Sequence, residues 1–165
     1  MPYAAAAAII TALVLGWWLW MRPVPPQQMA SAYLQQEQLT RFSVTMGGPA
    51  DSLQAAIGWY NNGKKEAALQ QFESMLARDA SNATVRKYAG IVSLQLGAFD
   101  KALEHFRLLE QYPHLYSNPG KFYYALTLMK RSLPGDLPKA KELLQQVVQD
   151  NLEGKNDAQQ WLSKW

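Results

Sequence analysis

Asn62-Gly63-Lys64-Lys65-Glu66-Ala67-Ala68-Leu69-Gln70-Gln71-Phe72 returns later in the chain as Leu96-Gly97-Ala98-Phe99-Asp100-Lys101-Ala102-Leu103-Glu104-His105-Phe106. Gly63 pairs with Gly97, Ala68 with Ala102, Leu69 with Leu103 and Phe72 with Phe106, every pair at one and the same separation. A looser third copy keeps the same mutual spacing in Gly135, Ala140 and Leu144, set off from Gly97, Ala102 and Phe106 by a slightly longer step. A fixed period of this length marks a chain built from repeated supersecondary units.

Each repeated position has a mechanical reason. The glycine belongs between two helices, where a left-handed backbone is cheapest without a Cβ. The alanine that follows in the next helix lies where helices approach closely. The aromatic one turn later shares that helix face and fills the space between hairpins. Upstream of each glycine the pattern predicts another helix, over Leu53 to Tyr60, Val85 to Leu96 and Phe122 to Met129, with Ala55, Ala56, Ala89 and Gly90 marking close contacts. No alternating strand pattern appears, so the fold class is all-α.

The small pair Ala89-Gly90 followed by Gly97, Ala102 and Phe106 resembles the tetratricopeptide repeat (TPR), a helix–turn–helix unit with the period seen here. The likeness runs from about Asp51 to Gln149; Asp79-Ala80 stands where the family often has Asp-Pro, and the third copy carries extra residues around Ser132-Leu133-Pro134. It implies a short right-handed α-solenoid over 50–165, with repeats near 50–81, 83–116 and 119–150 and a capping helix over 155–165. The cap is expected to open on Asn156-Asp157 and to lay Trp161 and Leu162 on the last hairpin, with Trp165 packed beside them.

Ahead of the repeats, Ala4 to Met21 is an uncharged, predominantly apolar run. A helix of that length spans about 27 Å, close to the hydrocarbon core of a bilayer. Trp17, Trp18 and Trp20 gather at its end, Arg22 follows as a water-side marker, and Pro23, Pro25 and Pro26 stop the helix. The reading is a transmembrane anchor over 1–22; the competing one is a cleavable signal peptide, against which Met1-Pro2-Tyr3 carries no Lys or Arg. Residues 23–49 form a proline-rich linker and a juxtamembrane helix (Gln27 to Phe42, with Met29, Tyr33, Leu34 and Leu39), closed by Met46-Gly47-Gly48-Pro49. That helix is expected to be a spacer or to pack onto the first repeat.

Chemistry is sparse. The chain has no cysteine and two histidines, His105 and His114, without a carboxylate at ligand spacing, so no metal site or cofactor is expected. His105 is expected on the surface or in the groove, and Asp136 and Glu142 at helix starts on solvent faces. No phosphate loop and no nucleophile elbow is present. The net charge of +3 is spread along the chain, which argues against a nucleic-acid partner. No enzymatic activity or small-molecule substrate is expected. Asn82-Ala83-Thr84 is a formal glycosylation sequon whose position favours a helix N-cap. The aromatic loop from Tyr112 to Asn118 is expected to serve packing between hairpins.

What remains is surface, and the resemblance assigns partner contact to the first helix of each hairpin. By register the groove is lined by Leu53, Ile57, Tyr60 and Asn61, then Lys87, Ile91, Leu94 and Gln95, then Tyr123, Thr127, Lys130 and Arg131. Such a surface suits an extended peptide or a partner helix carrying negative charge. The expected function is a membrane-anchored scaffold or adaptor for another protein. The alternative is a permanent accessory subunit of a membrane complex, held by the Trp-rich helix. Anchor plus short array also looks like small repeat proteins of the Bacteroidota, which implies a single pass of the inner membrane and a periplasmic domain.

Overall fold

The structure is a computed structural model that describes residues 16–17, 24–39, 50–112 and 115–165. Almost all of the proposed anchor, including Trp18, Trp20 and Arg22, lies outside them, as do His114 and the Met46–Pro49 breaker; Trp17 is described and exposed. No helix among the described residues is long and apolar enough to cross a membrane.

Those residues form eight sizeable helices and no strand: α1 Pro26–Leu39, α2 Ala50–Asn61, α3 Lys65–Arg78, α4 Ala83–Gln95, α5 Phe99–Glu110, α6 Gly120–Arg131, α7 Asp136–Gln149 and α8 Lys155–Leu162. From α2 to α8 each helix packs on the next, and α1 packs on α6. The chain is all-α.

The turns repeat atom for atom. Gly63 and Gly97 take φ of 77° and 75°. In the first turn Gly63 N–H donates to Tyr60 O and Lys64 N–H to Trp59 O; in the second Gly97 N–H donates to Leu94 O and Ala98 N–H to Ser93 O. Each is the Schellman closure, which satisfies the last carbonyls of a helix through a left-handed residue. The third turn differs: Ser132 is left-handed at the end of α6, and Gly135, φ 88°, precedes α7. The extra residues there thus serve a two-step turn.

Behind the turns, Ala68, Ala102 and Ala140 are fully buried, as are Phe72, Phe106 and Leu144. One apolar cluster joins α2, α3 and α4 through Ile57, Phe72, Ala89 and Val92; a second joins α1 and α4 to α8 through Leu94, Phe106, Tyr123 and Leu144. Ala55, read as a close-contact residue, is instead exposed, and Ala56 takes that place. At Gly90 an added Cβ would lie 2.5 Å from the Phe106 ring, so the glycine is what admits the aromatic. Asn82 caps α4 by accepting the Val85 N–H at 3.1 Å.

Three further expectations are corrected here. The cap helix starts on Gly154, φ 87°, while Asn156 and Asp157 fall inside its first turn and make no cap. Asp136 is buried against Arg131 and faces no solvent. His105 is buried also, because its position on α5 turns toward α3 and α4, where Glu73 and Arg86 are its charged neighbours.

Candidate partner-binding face

The register residues fall into three groups. On α4, Lys87, Ile91 and Leu94 share one face by helical spacing. Ile91 and Leu94 are 1% exposed and belong to the second core cluster. Lys87 stays at the rim, its ammonium 5.3 Å from the centroid of the Tyr123 ring and bonded to the Glu153 carboxylate. A cation between a π face and a carboxylate is held by both. Beside it Thr84, Lys87, Tyr88, Leu115, Ser117 and Glu153 line an open cavity of about 250 Å³. Gln95, at the end of α4, has both side-chain amide atoms buried, with no hydrogen-bond partner among the described residues.

On α6, Tyr123 and Thr127 are buried, contrary to their assignment as exposed lining. Tyr123 stacks on Phe106 at 5.2 Å and meets Phe122 edge-on at 5.5 Å. Thr127 Oγ1 donates to the Tyr123 carbonyl at 2.7 Å. Lys130 is half-buried, and its ammonium donates to Ser31 Oγ of α1 at 2.8 Å. Arg131 is committed elsewhere, to Asp136 and Asp100, each at 2.9 Å. That pairing raises the already high guanidinium value, first through the Asp136 hydrogen bond and against burial.

On α2, Tyr60 and Ile57 are buried in the first cluster, Leu53 packs against it, and Asn61 is exposed. Of the residues expected to meet a partner, Tyr60, Leu94, Tyr123 and Thr127 are therefore interior. The accessible rim is Asn61, Lys87 and Lys130, with Lys87 paired to Glu153, Arg131 partly exposed but paired to Asp136 and Asp100, and the Gln95 amide turned inward.

A further face of α6, beyond those packed on α5 and α7, is covered by α1. Helix α1, expected from the sequence to be a spacer or to pack onto the first repeat, lies instead on the third hairpin. Met29, Ala30 and Leu34 are buried in the second cluster, and the Tyr33 ring stands edge-on to Phe122 at 5.3 Å and to Trp161 at 5.5 Å. Gln27 donates its amide to the Lys130 carbonyl at 3.2 Å. Trp161 in turn stacks on Phe122 at 5.3 Å, so α1, α6 and α8 share one aromatic cluster.

The aromatic loop divides. Tyr112 OH donates to the Ala80 carbonyl and accepts from Arg86 Nε, joining the second hairpin to the first, whereas Tyr116 is fully exposed. Asn118 closes the loop by donating to the Leu109 carbonyl at 2.8 Å. Among the described residues no group of three or more His, Cys, Asp or Glu is arranged to hold a metal ion. No family model, no curated protein and no solved structure matches the chain.

Proposed function

We propose that the chain is a TPR-type adaptor, a short right-handed solenoid held at a membrane by its N-terminal segment, which binds a partner protein along the rim of α2, α4 and α6. The observation that carries this reading is the repeated turn. Two hairpins one sequence period apart share the same left-handed glycine, the same hydrogen bonds and the same buried alanine and phenylalanine. Such pairs stack because neither hairpin buries its apolar face alone, and stacking leaves a continuous surface for recognition. Lys87, which pairs with the rim carboxylate of Glu153, and Lys130, which meets no carboxylate among the described residues, are the rim cations that an acidic segment of a partner would engage.

The test is crosslinking and pull-down from native membranes with the full chain, beside the chain lacking residues 1–26. An adaptor recovers the same partner with both and loses it on Lys87→Ala. If only the full chain retains the partner, the accessory-subunit reading replaces this one.

A further inference from the structure

Helix α1 presents Met29, Ala30, Tyr33 and Leu34 on one face, and that face fills the trough between α6 and α8. The trough lies in the C-terminal half of the surface proposed for partner binding. A segment of the chain itself therefore occupies the place where a partner helix belongs.

The contacts are those of a ligand more than of a structural member. Helices α2 to α8 pack consecutively without α1, which has substantial contact with α6 alone apart from the aromatic cluster with Trp161. Its ends carry neither an acidic first turn nor a basic last turn. In the sequence ten residues separate α1 from α2, and the consecutive pairings from α2 to α8 do not run through α1. The fit is also incomplete: an open cavity of about 390 Å³ remains between α1 and α8, lined by Gln28, Tyr33, Gln36, Gln160, Trp161 and Lys164.

The charges point the same way. Lys130 meets a hydroxyl at Ser31, and among the described residues neither Lys130 nor Lys164 meets a carboxylate. A cation satisfied only by a hydroxyl is open to a better partner.

We propose that α1 is a resident, exchangeable ligand of the α6/α8 trough. The external partner is an amphipathic helix with the same apolar spacing, carrying a carboxylate where α1 has Ser31. This rests on the adaptor reading for its biological meaning, and on α1 alone for its geometry. Partner binding is then gated, because the resident helix must leave first, which lowers the apparent affinity of any competitor.

The experiment uses the full chain in detergent and a fluorescent peptide of sequence Pro26–Leu39, followed by anisotropy. The wild-type chain should bind the peptide at least tenfold more weakly than a chain opened by Leu34→Asp, because the resident helix competes. A peptide carrying Ser31→Glu should bind the opened chain several-fold more tightly, and Lys130→Ala in the chain should remove that gain. Equal binding by both chains overturns the proposal, as does an opened chain that keeps its helical circular dichroism yet binds no peptide. Loss of the cooperative fold on Leu34→Asp overturns it too, because α1 would then belong to the core. The milder Tyr33→Ala chain separates a weakened latch, which binds the peptide at intermediate strength, from a structural helix, which destabilises without binding. No external partner is needed, so failure here leaves the adaptor reading on α2 and α4 intact. A failed pull-down beside successful peptide binding would remove the adaptor and leave the latch.

Discussion

The Arg131 guanidinium grips the Asp136 carboxylate through two hydrogen bonds of 2.9 Å, Nε to Oδ2 and Nη2 to Oδ1, across the turn between α6 and α7. The Leu133 N–H adds a third at 2.9 Å, and only 7% of the Asp136 side chain is exposed. Arg131 Nη1 also reaches Asp100 at the start of α5, so one side chain ties the irregular third turn to the second hairpin.

The Arg131 hydrogen bond holds the Asp136 carboxyl below the usual carboxylate range; burial opposes it, and the Leu133 amide assists. A depressed folded value means that the stabilisation is present above the unfolded carboxylate value, near 3.9, and is lost as pH falls below it toward the folded one. Asp136→Asn should cost about 1.5–3 kcal/mol at pH 7, the worth of hydrogen bonds to a charged group. It should also flatten the acid limb of stability below about pH 4. Urea midpoints at pH 7, 4 and 3 check this; parallel pH dependence in both proteins would show that the pair does not set that limb.

Phe106 is fully buried, stacks on Tyr123 and sits over Gly90. Phe106→Ala should cost about 3–5 kcal/mol through the cavity it leaves, and Phe72→Ala, equally buried in the first cluster, should cost the same. In an array this small either loss approaches the whole stability of a domain. Denaturant unfolding gives the number. A change of a few tenths would mean that these rings do not hold the hairpins together.

Much of this was legible because helix hairpins are local. A glycine that must be left-handed, an alanine that must be small and an aromatic one turn later are all specified within a short stretch, so Gly63, Ala68 and Phe72 announce their own geometry. The docking of α1 was not legible in that way. Met29, Tyr33 and Leu34 mark an apolar face, but its receiver, Phe122 and Trp161, lies far along the chain with no periodicity to connect them. The rim suffered for the same reason. Tyr123 and Thr127 hold groove positions by register, but Tyr123 packs on Phe106 of α5 beneath Lys87 of α4, and packing against another hairpin leaves no mark on the register itself. Asp136 and His105 were misplaced because a charge or an imidazole reads as surface until its partner across the turn, or its neighbours on α3 and α4, are known.

His105 yields the third prediction. Both ring nitrogens are buried, with no hydrogen-bond partner among the described residues. Burial first, and then the Arg86 charge, push its pKa below the ordinary histidine value, with Glu73 and Glu104 opposing and Lys101 adding a little. The folded chain therefore prefers the neutral ring. Below about pH 6.5 the unfolded chain takes up the proton first, so stability falls as pH drops through the folded value. His105→Leu removes both the unpaired nitrogens and the titration. It should add about 1 kcal/mol at pH 8 and a larger margin at pH 5.5. Thermal unfolding at the two pH values decides; an unchanged margin would mean that the ring is solvated in the fold.

Gly154 and Gly135 make a controlled pair. Both are left-handed, φ 87° and 88°, so alanine strains either by about 1–2 kcal/mol. At Gly135 an added Cβ meets open space, whereas at Gly154 it runs into the Phe122 ring. Phe122 stacks on Trp161 and meets Tyr33 edge-on, so the disturbance at Gly154 spreads to α8 and α1 together. Gly154→Ala should therefore cost about 1–3 kcal/mol more than Gly135→Ala through overpacking. Amide exchange should separate the effects. In Gly154→Ala, α1 and α8 should exchange faster while α2 and α3, which belong to the other apolar cluster, keep their protection. If α1 stays protected while α8 opens, then α6 alone holds the latch, and the aromatic contact between Tyr33 and Trp161 contributes little to keeping the trough filled.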